Sequence, residues 1–113
     1  MKIKTSEKYG AVVIELKGNV MGGDDTKDFN ELLHKCVDEG KTNVVIDLSD
    51  VKFMNSSGLG MLIGGLTTMK KANGSLKLAK VTEKIESLLI ITKLVTIFEF
   101  YDTVDDAVNS FAK

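Results

Sequence analysis

The stretch Asp-Leu-Ser-Asp-Val-Lys-Phe-Met-Asn-Ser-Ser-Gly-Leu-Gly-Met-Leu, residues 47–62, decides the fold of this chain. It follows the apolar run Val44–Ile46, crosses polar residues, and enters a helical pattern that begins with two adjacent hydroxyls, Ser56 and Ser57. A continuous apolar run is typical of a strand that is covered on both faces, as in a parallel sheet. Functional groups in such sheets often lie just past the carboxyl ends of the strands. We therefore expect the chemistry of this chain at the turn before the helix.

The segments on either side of this stretch alternate between strand and helix patterns. Strand patterns cover 2–7, 11–17, 43–48, 75–80 and 96–101, and amphipathic helix patterns begin near Asp24, Ser57, Thr82 and Thr103. Gly18 is expected to end the second strand, and Ser56 or Ser57 is expected to cap the second helix. This order predicts one α/β domain, 1–113, with a mixed sheet of about five strands and about four helices packed against it.

Composition excludes several classes of function. The 113 residues carry 15 basic side chains, all lysine, and 16 acidic ones, which gives a net charge of −1. This balance argues against non-specific nucleic-acid binding and against a polybasic membrane anchor. No apolar run approaches the ~20 residues that a membrane helix needs. We expect a cytoplasmic domain with no direct nucleic-acid contact and no membrane insertion.

The inventory of reactive side chains argues against catalysis. A serine nucleophile needs a base, and the single histidine, His34, lies on another predicted helix without an evident orienting partner. The sequence has no Gly-x-Ser-x-Gly turn, no Gly-x-x-x-x-Gly-Lys-Ser/Thr loop and no cluster at metal-ligand spacing. The single cysteine, Cys36, falls on an apolar stripe and is expected to be packed. We predict no enzymatic activity, no cofactor and no metal.

The serine pair and its glycines are the least ordinary feature of the sequence. Gly58 and Gly60 each cost a helix roughly 0.5–1 kcal/mol relative to alanine, which suggests close approach by another backbone or by a partner. Leu59 between them is then either an exposed apolar contact or a packing side chain. A phosphate on Ser56 would add about −1.5 to −2 charges, which a helix N-terminus tolerates and a partner surface pressed against the turn does not. These residues predict a binding switch.

Two other sites stay open at this stage. Asp24 and Asp25 follow one strand and Asp47 lies in the next, which resembles the acidic pocket of phospho-accepting receiver domains. Helix capping explains the first two aspartates equally well, and we favour it. An apolar gap lined by methionines would bind a ligand, although packing in the core accounts for the same side chains. The methionines concerned are Met21, Met54 and Met61.

Residues 45–60 resemble the signature of STAS domains, and in particular the small bacterial anti-sigma factor antagonists. The similarity extends over nearly the whole chain, including Leu16–Gly18 and the segments 91–94 and 97–98. It implies a STAS-type mixed sheet with helices packed beside it. The chain departs from the family pattern at Asn55, where members commonly carry aspartate, and at the neutral residues 19–23, where many carry an acidic one.

The resemblance also implies a function by partner switching. The unphosphorylated antagonist binds an anti-sigma factor that is typically also a serine kinase, and the sigma factor is released. Phosphorylation of the first serine of the pair, Ser56 here, ends the interaction, and a serine phosphatase restores it; Ser57 is the less favoured acceptor. We assign the partner-binding surface to Met21, Asn55, Ser56, Ser57, Gly58, Leu59 and Gly60. The alternative is a STAS scaffold that is not phosphorylated and docks a transporter, a sensor or another signalling assembly.

Overall fold

Five strands and four helices make up residues 1–111, the part of the chain that this computed structural model describes. They follow one another as β1 (Lys2–Lys8), β2 (Ala11–Val20), α1 (Asp24–Asp38), β3 (Asn43–Met54), α2 (Ser56–Lys71), β4 (Ser75–Ala79), α3 (Glu83–Ile91), β5 (Phe100–Tyr101) and α4 (Val104–Ser110). The strands form one sheet in the order β1-β2-β3-β4-β5. β1 and β2 pair antiparallel, and every other neighbouring pair is parallel. The expected mixed α/β sheet of five strands and four helices is confirmed.

The sheet buries both of its faces, but unequally. One face packs against α1, α2 and α3 in a core that includes Phe29, Leu62 and Leu89. The other face carries Val45, and α4 covers it through Ala107 and its neighbours. Successive side chains of a strand point to opposite faces, so β3 contributes to both cores. This explains why the run from Val44 to Ile46 is apolar without interruption.

β2 and β3 are longer than their sequence patterns predict. The expectation that Gly18 ends the second strand is wrong, because β2 continues to Val20, paired with Met54 at the end of β3. The pairing between β2 and β3 shifts register after Glu15 and again after Gly18, and the hydrogen-bonded ladder continues past the polar residues at these points. Both strands therefore reach the same edge of the sheet, and one residue separates β3 from α2.

β5 is shorter than the predicted strand at 96–101. After α3 the chain takes a left-handed conformation at Lys93, with φ 62°, and then a turn in which Ile97 N donates to Leu94 O at 3.2 Å. Phe98 is buried in the main core. The apolar pattern of this segment therefore reflects core packing rather than strand pairing.

No helix within residues 1–111 is both long enough and apolar enough to cross a membrane.

Candidate functional site

Asn55 joins β3 to α2 and caps the helix. Its backbone is extended, with φ −99° and ψ −177°, and its Oδ1 accepts a hydrogen bond from Gly58 N at 2.8 Å. The expectation that Ser56 or Ser57 caps this helix is wrong, because both serines already lie inside its first turn. Asparagine is among the best N-cap residues, so its presence at this position has a direct structural reason. Both hydroxyls are consequently free of the capping role.

Gly58 is required because the first turn of α2 rests on the end of β2. A Cβ atom at Gly58 would lie 2.0 Å from the carbonyl oxygen of Val20. The same carbonyl accepts a hydrogen bond from Asn55 N at 3.3 Å. The close approach of another backbone that the glycine pattern predicted is thus found at Gly58. Gly60 differs, since a Cβ there would meet no atom within 4 Å.

Leu59 packs into the core between these two glycines. Its side chain is only 3% exposed and belongs to the main cluster under α2. Of the two alternatives for this residue, packing is the one observed, and the interpretation as an exposed apolar contact is wrong. The spacing of residues in the sequence could not distinguish a packed Leu59 from an exposed one. The rotation of α2 about its own axis, which decides between them, depends on the contact between Gly58 and Val20.

The loop between β2 and α1 brings Met21 beside the serine pair. Gly22 has φ 79°, and a Cβ at this position would lie 2.8 Å from the Cβ of Ser57. Met21, immediately before it, is 44% exposed. The surface at this edge is therefore formed by exposed residues of the β2–α1 loop and of the start of α2, which are Met21, Ser56, Ser57 and Gly60. Asn55 is half-buried beneath them, and Gly58 is buried. A role in partner binding for these residues stays a prediction.

The electrostatics of the turn favour an anion. α2 is 16 residues long, has no acidic residue in its first turn, and has Lys70 and Lys71 in its last turn. Aligned peptide dipoles place about half a positive charge at such an N-terminus, which no side chain of the first turn offsets. Ser56 occupies the first helical position, where free backbone N–H groups point outward. A negative group on its oxygen would meet a favourable field.

Within the described chain the single histidine does not lie near the serines. His34, the single histidine, is exposed on α1 beside Thr68 and Ala72 near the far end of α2. Thr68 follows Ser56 by twelve residues, which corresponds to roughly 18 Å along a helix. Residues 1–111 contain no group of three side chains able to hold a metal ion. Cys36 is buried, and this burial raises the pKa of its thiol.

The acidic residues considered for a receiver-like pocket do not converge. Asp47 lies inside β3, seven residues before Met54, which places it roughly 23 Å from the carboxyl end of the strand. Its Oδ1 accepts a local hydrogen bond from Ser49 N at 2.9 Å. Asp24 and Asp25 lie in the first turn of α1, and Gly23 occupies the N-cap position that we assigned to them. The receiver-like interpretation is therefore wrong.

The three methionines divide between core and surface. Met54 and Met61 are buried in the main core, whereas Met21 is exposed. Packing accounts for the first two, as we favoured.

Sequence reasoning missed an exposed aromatic residue beside the turn. Phe53 is 40% exposed, two residues before Asn55, and Ile91 at the end of α3 is 78% exposed. The signal that could have found Phe53 is the break in alternation at Lys52–Phe53, where two consecutive side chains of β3 are exposed.

Comparisons with known proteins place this fold. The STAS domain family model matches residues 2–107. The anti-sigma-B factor antagonist of Bacillus subtilis is 34% identical over 87 residues, which cover 75% of this chain and 80% of that protein. A crystal structure of a candidate anti-sigma factor antagonist of Thermotoga maritima superposes with a TM-score of 0.88 at 21% identity, over 98% of this chain and 95% of that one.

A further structural neighbour is the Bacillus cell fate determinant SpoIIAA in its phosphorylated form. The TM-score is 0.75 at 17% identity, and the match covers 97% of this chain and 99% of that one. At this identity the likeness concerns the fold. Taken together with the family match and the Bacillus subtilis relative, these findings lead to one conclusion: the chain belongs to the STAS domain family, among the anti-sigma factor antagonists.

Proposed function

We propose that this protein is an anti-sigma factor antagonist whose activity is switched at Ser56. In its unphosphorylated form it binds an anti-sigma factor, which also acts as a serine kinase, and the sigma factor is released. One observation carries the proposal: Ser56 is exposed at the N-terminus of α2, whose first turn has no acidic residue, and the loop that carries the exposed Met21 meets the neighbouring Ser57 at Gly22. Its relative in Bacillus subtilis is named for the same general role.

Ser56 is a better acceptor than Ser57 for a steric reason. A Cβ at Gly22 would lie 2.8 Å from the Cβ of Ser57, so the β2–α1 loop packs closely against the second serine. A kinase has to surround the acceptor hydroxyl with its own active site. The loop lies against one side of Ser57, whereas Ser56 lies one residue nearer the helix start, and we therefore favour Ser56 as the acceptor.

The charge of a phosphate explains how one modification can stop binding without unfolding the protein. A phosphoserine carries about −1.5 to −2 charges at neutral pH. Interaction with the helix N-terminus is worth about 0.3–1 kcal/mol in its favour at an exposed position. A partner that covers the turn must instead strip water from the phosphate, and unpaired burial of a charge is costly. The phosphorylated domain therefore stays folded while the complex dissociates.

In this scheme the chain acts as a substrate and regulator without catalysis of its own. The anti-sigma factor supplies the ATP site and transfers the phosphate, and a serine phosphatase removes it. The position of His34 beside Thr68, far from Ser56, agrees with this division of roles, because an acceptor serine can be activated by the kinase that approaches it.

The direct test is to map the phosphate. The anti-sigma factor kinases encoded in the source genome are incubated with the wild-type chain, Ser56→Ala and the matched control Ser57→Ala in the presence of ATP, and intact mass is recorded. We expect the wild type and Ser57→Ala to gain one phosphate each and Ser56→Ala to gain none. Equal incorporation by Ser56→Ala and wild type would refute the assignment. No incorporation by any kinase of that genome would favour the scaffold that is never phosphorylated.

A further inference from the structure

An apolar groove lies between the end of β3 and helix α3, next to residues 55–58, which we call the switch turn. It encloses about 230 Å³, and its lining includes Phe53, Met54, Leu88 and Ile91. Phe53 is 40% exposed and Ile91 is 78% exposed, and both are among the largest apolar side chains that this chain presents to solvent. Because Phe53 and Ile91 line the same groove, they form one joint apolar surface instead of two separately exposed side chains.

The groove is continuous with the turn that carries Ser56. Phe53 and Met54 are the last two residues of β3, and Asn55 is the only residue between them and α2. A partner that covers Ser56 and has the footprint of an ordinary interface, about 800 Å² on each side, would extend over neighbouring surface. The groove supplies the apolar centre that the switch turn lacks, because the exposed residues of that turn are mostly small and polar.

The charge at the groove selects the chemistry of its occupant. Lys84 is the one charged residue in the described lining, and its Nζ lies 5.4 Å from the centroid of the Phe53 ring. This cation–π contact holds the ammonium group at the rim of the groove. Glu83 and Glu86 are on the same helix but do not line the groove. Successive residues of a helix are about 100° apart around its axis, so both glutamates lie about 100° or more from Lys84. An acidic group on the occupant would therefore meet an unopposed cation.

We propose that this groove, lined by Phe53, Lys84 and Ile91, receives an apolar side chain of the anti-sigma factor partner, with a carboxylate of that partner beside Lys84. The proposal rests on the proposed function, since it names a second part of the surface that the same partner covers. A second copy of this chain fits less well. A two-fold interface brings the same patch of each copy together, which would place both Lys84 ammonium groups in one interface without a carboxylate from the described lining to pair with them.

The test uses two neighbouring isoleucines of α3. Ile91 lines the groove and Ile90, which is 54% exposed, does not, so Ile90→Ser is a matched control for Ile91→Ser. Binding of each variant to the anti-sigma factor kinase that phosphorylates Ser56 is measured by titration calorimetry. We expect the Kd to rise about tenfold or more for Ile91→Ser and less than twofold for Ile90→Ser. Both sites are exposed, and unchanged circular dichroism would verify that both variants fold.

A charge reversal tests the electrostatic half of the proposal. Lys84→Glu should raise the Kd severalfold in 0.1 M NaCl and by less in 0.5 M NaCl, whereas the exposed control Lys93→Glu should not change it. Equal affinities for Ile91→Ser and Ile90→Ser, with binding still abolished by phosphorylation of Ser56, would overturn the groove and leave the proposed function intact. Conversion of a wild-type dimer into a monomer by Ile91→Ser, seen by sedimentation, would identify a second copy as the occupant. Absence of any binding by the unphosphorylated wild type would overturn both proposals.

Discussion

Replacing Gly58 with alanine tests the contact that positions the switch turn. The new Cβ would lie 2.0 Å from the carbonyl oxygen of Val20, a backbone atom held in the β2–β3 ladder. Reaching an ordinary contact of 3.4 Å requires a displacement of about 1.4 Å between the first turn of α2 and the end of β2. That movement would also disturb the Asn55–Gly58 cap, since the glycine N–H is the donor.

The expected change in the free energy of unfolding has three contributions, of which two destabilise the variant and one stabilises it. Overpacking a close contact costs about 1–3 kcal/mol, and loss of an N-cap costs about 1 kcal/mol. Alanine regains about 0.5–1 kcal/mol of helix propensity over glycine. We expect Gly58→Ala to lower the free energy of unfolding by about 1–3 kcal/mol. Gly60→Ala is the matched control two residues along the same helix, where a Cβ meets nothing within 4 Å, and it should raise stability by about 0.5–1 kcal/mol.

Urea unfolding followed by far-UV circular dichroism separates the two variants. With an m value of about 1–3 kcal/mol/M, the expected difference of about 1.5–4 kcal/mol between the two variants separates their midpoints by on the order of 1 M. Gly58→Ala should unfold at lower urea than wild type and Gly60→Ala at higher urea. If Gly58→Ala were as stable as Gly60→Ala, α2 would not rest on Val20, and the geometry assigned to the turn would be refuted.

Three further outcomes follow from single contacts. Asn55→Ala should lose about 0.5–2 kcal/mol of stability because the cap is removed, and unchanged stability of this variant would exclude the cap. Asn55→Asp should be as stable as wild type, or more stable by up to about 1 kcal/mol at low salt. The Cys36 thiol, whose pKa burial raises, should react slowly with a disulfide reagent at pH 8 until denaturant is added, and immediate reaction would contradict its burial. A hydrogen bond to Asp105 raises the pKa of Lys8 above 10.5, so Asp105→Asn should lower this pKa in an NMR titration. Because the folded pKa is the higher one, the small stabilisation from this exposed pair is present below pH 10.5 and is lost as pH rises through the folded value.

The order of strands and helices was predictable because each apolar pattern in the sequence has the period of either a helix or a strand. The stripe on α1 and the run in β3 lead directly to the helices and the mixed sheet that are observed. The strand ends were not predictable in the same way. Gly18 and the polar residues after Leu48 resemble breakers locally, yet pairing between β2 and β3 continues past them through register shifts. Tertiary pairing overrides local propensity at these positions.

The candidate turn was singled out from the sequence, but its internal assignments needed the structure. Two serines and one asparagine at a helix start are all good caps, and composition does not rank them. Asn55 caps the helix because its Oδ1 accepts a hydrogen bond from Gly58 N. This hydrogen bond depends on where α2 packs against Val20. The same placement buries Leu59. Phe53 and Ile91 form one surface only after α3 packs beside the end of β3, which no local pattern encodes.

The affinity of the anti-sigma factor for this protein before and after phosphorylation tests the central claim most directly. The purified chain is converted fully to the Ser56 phosphoform, checked by intact mass, and titrated into the anti-sigma factor beside unmodified chain and Ser56→Ala. We expect the unmodified chain and Ser56→Ala to bind with Kd values within about threefold of each other, and the phosphoform to bind at least a hundredfold more weakly, about 2.7 kcal/mol. Equal affinity of the phosphorylated and unmodified forms would contradict the switch.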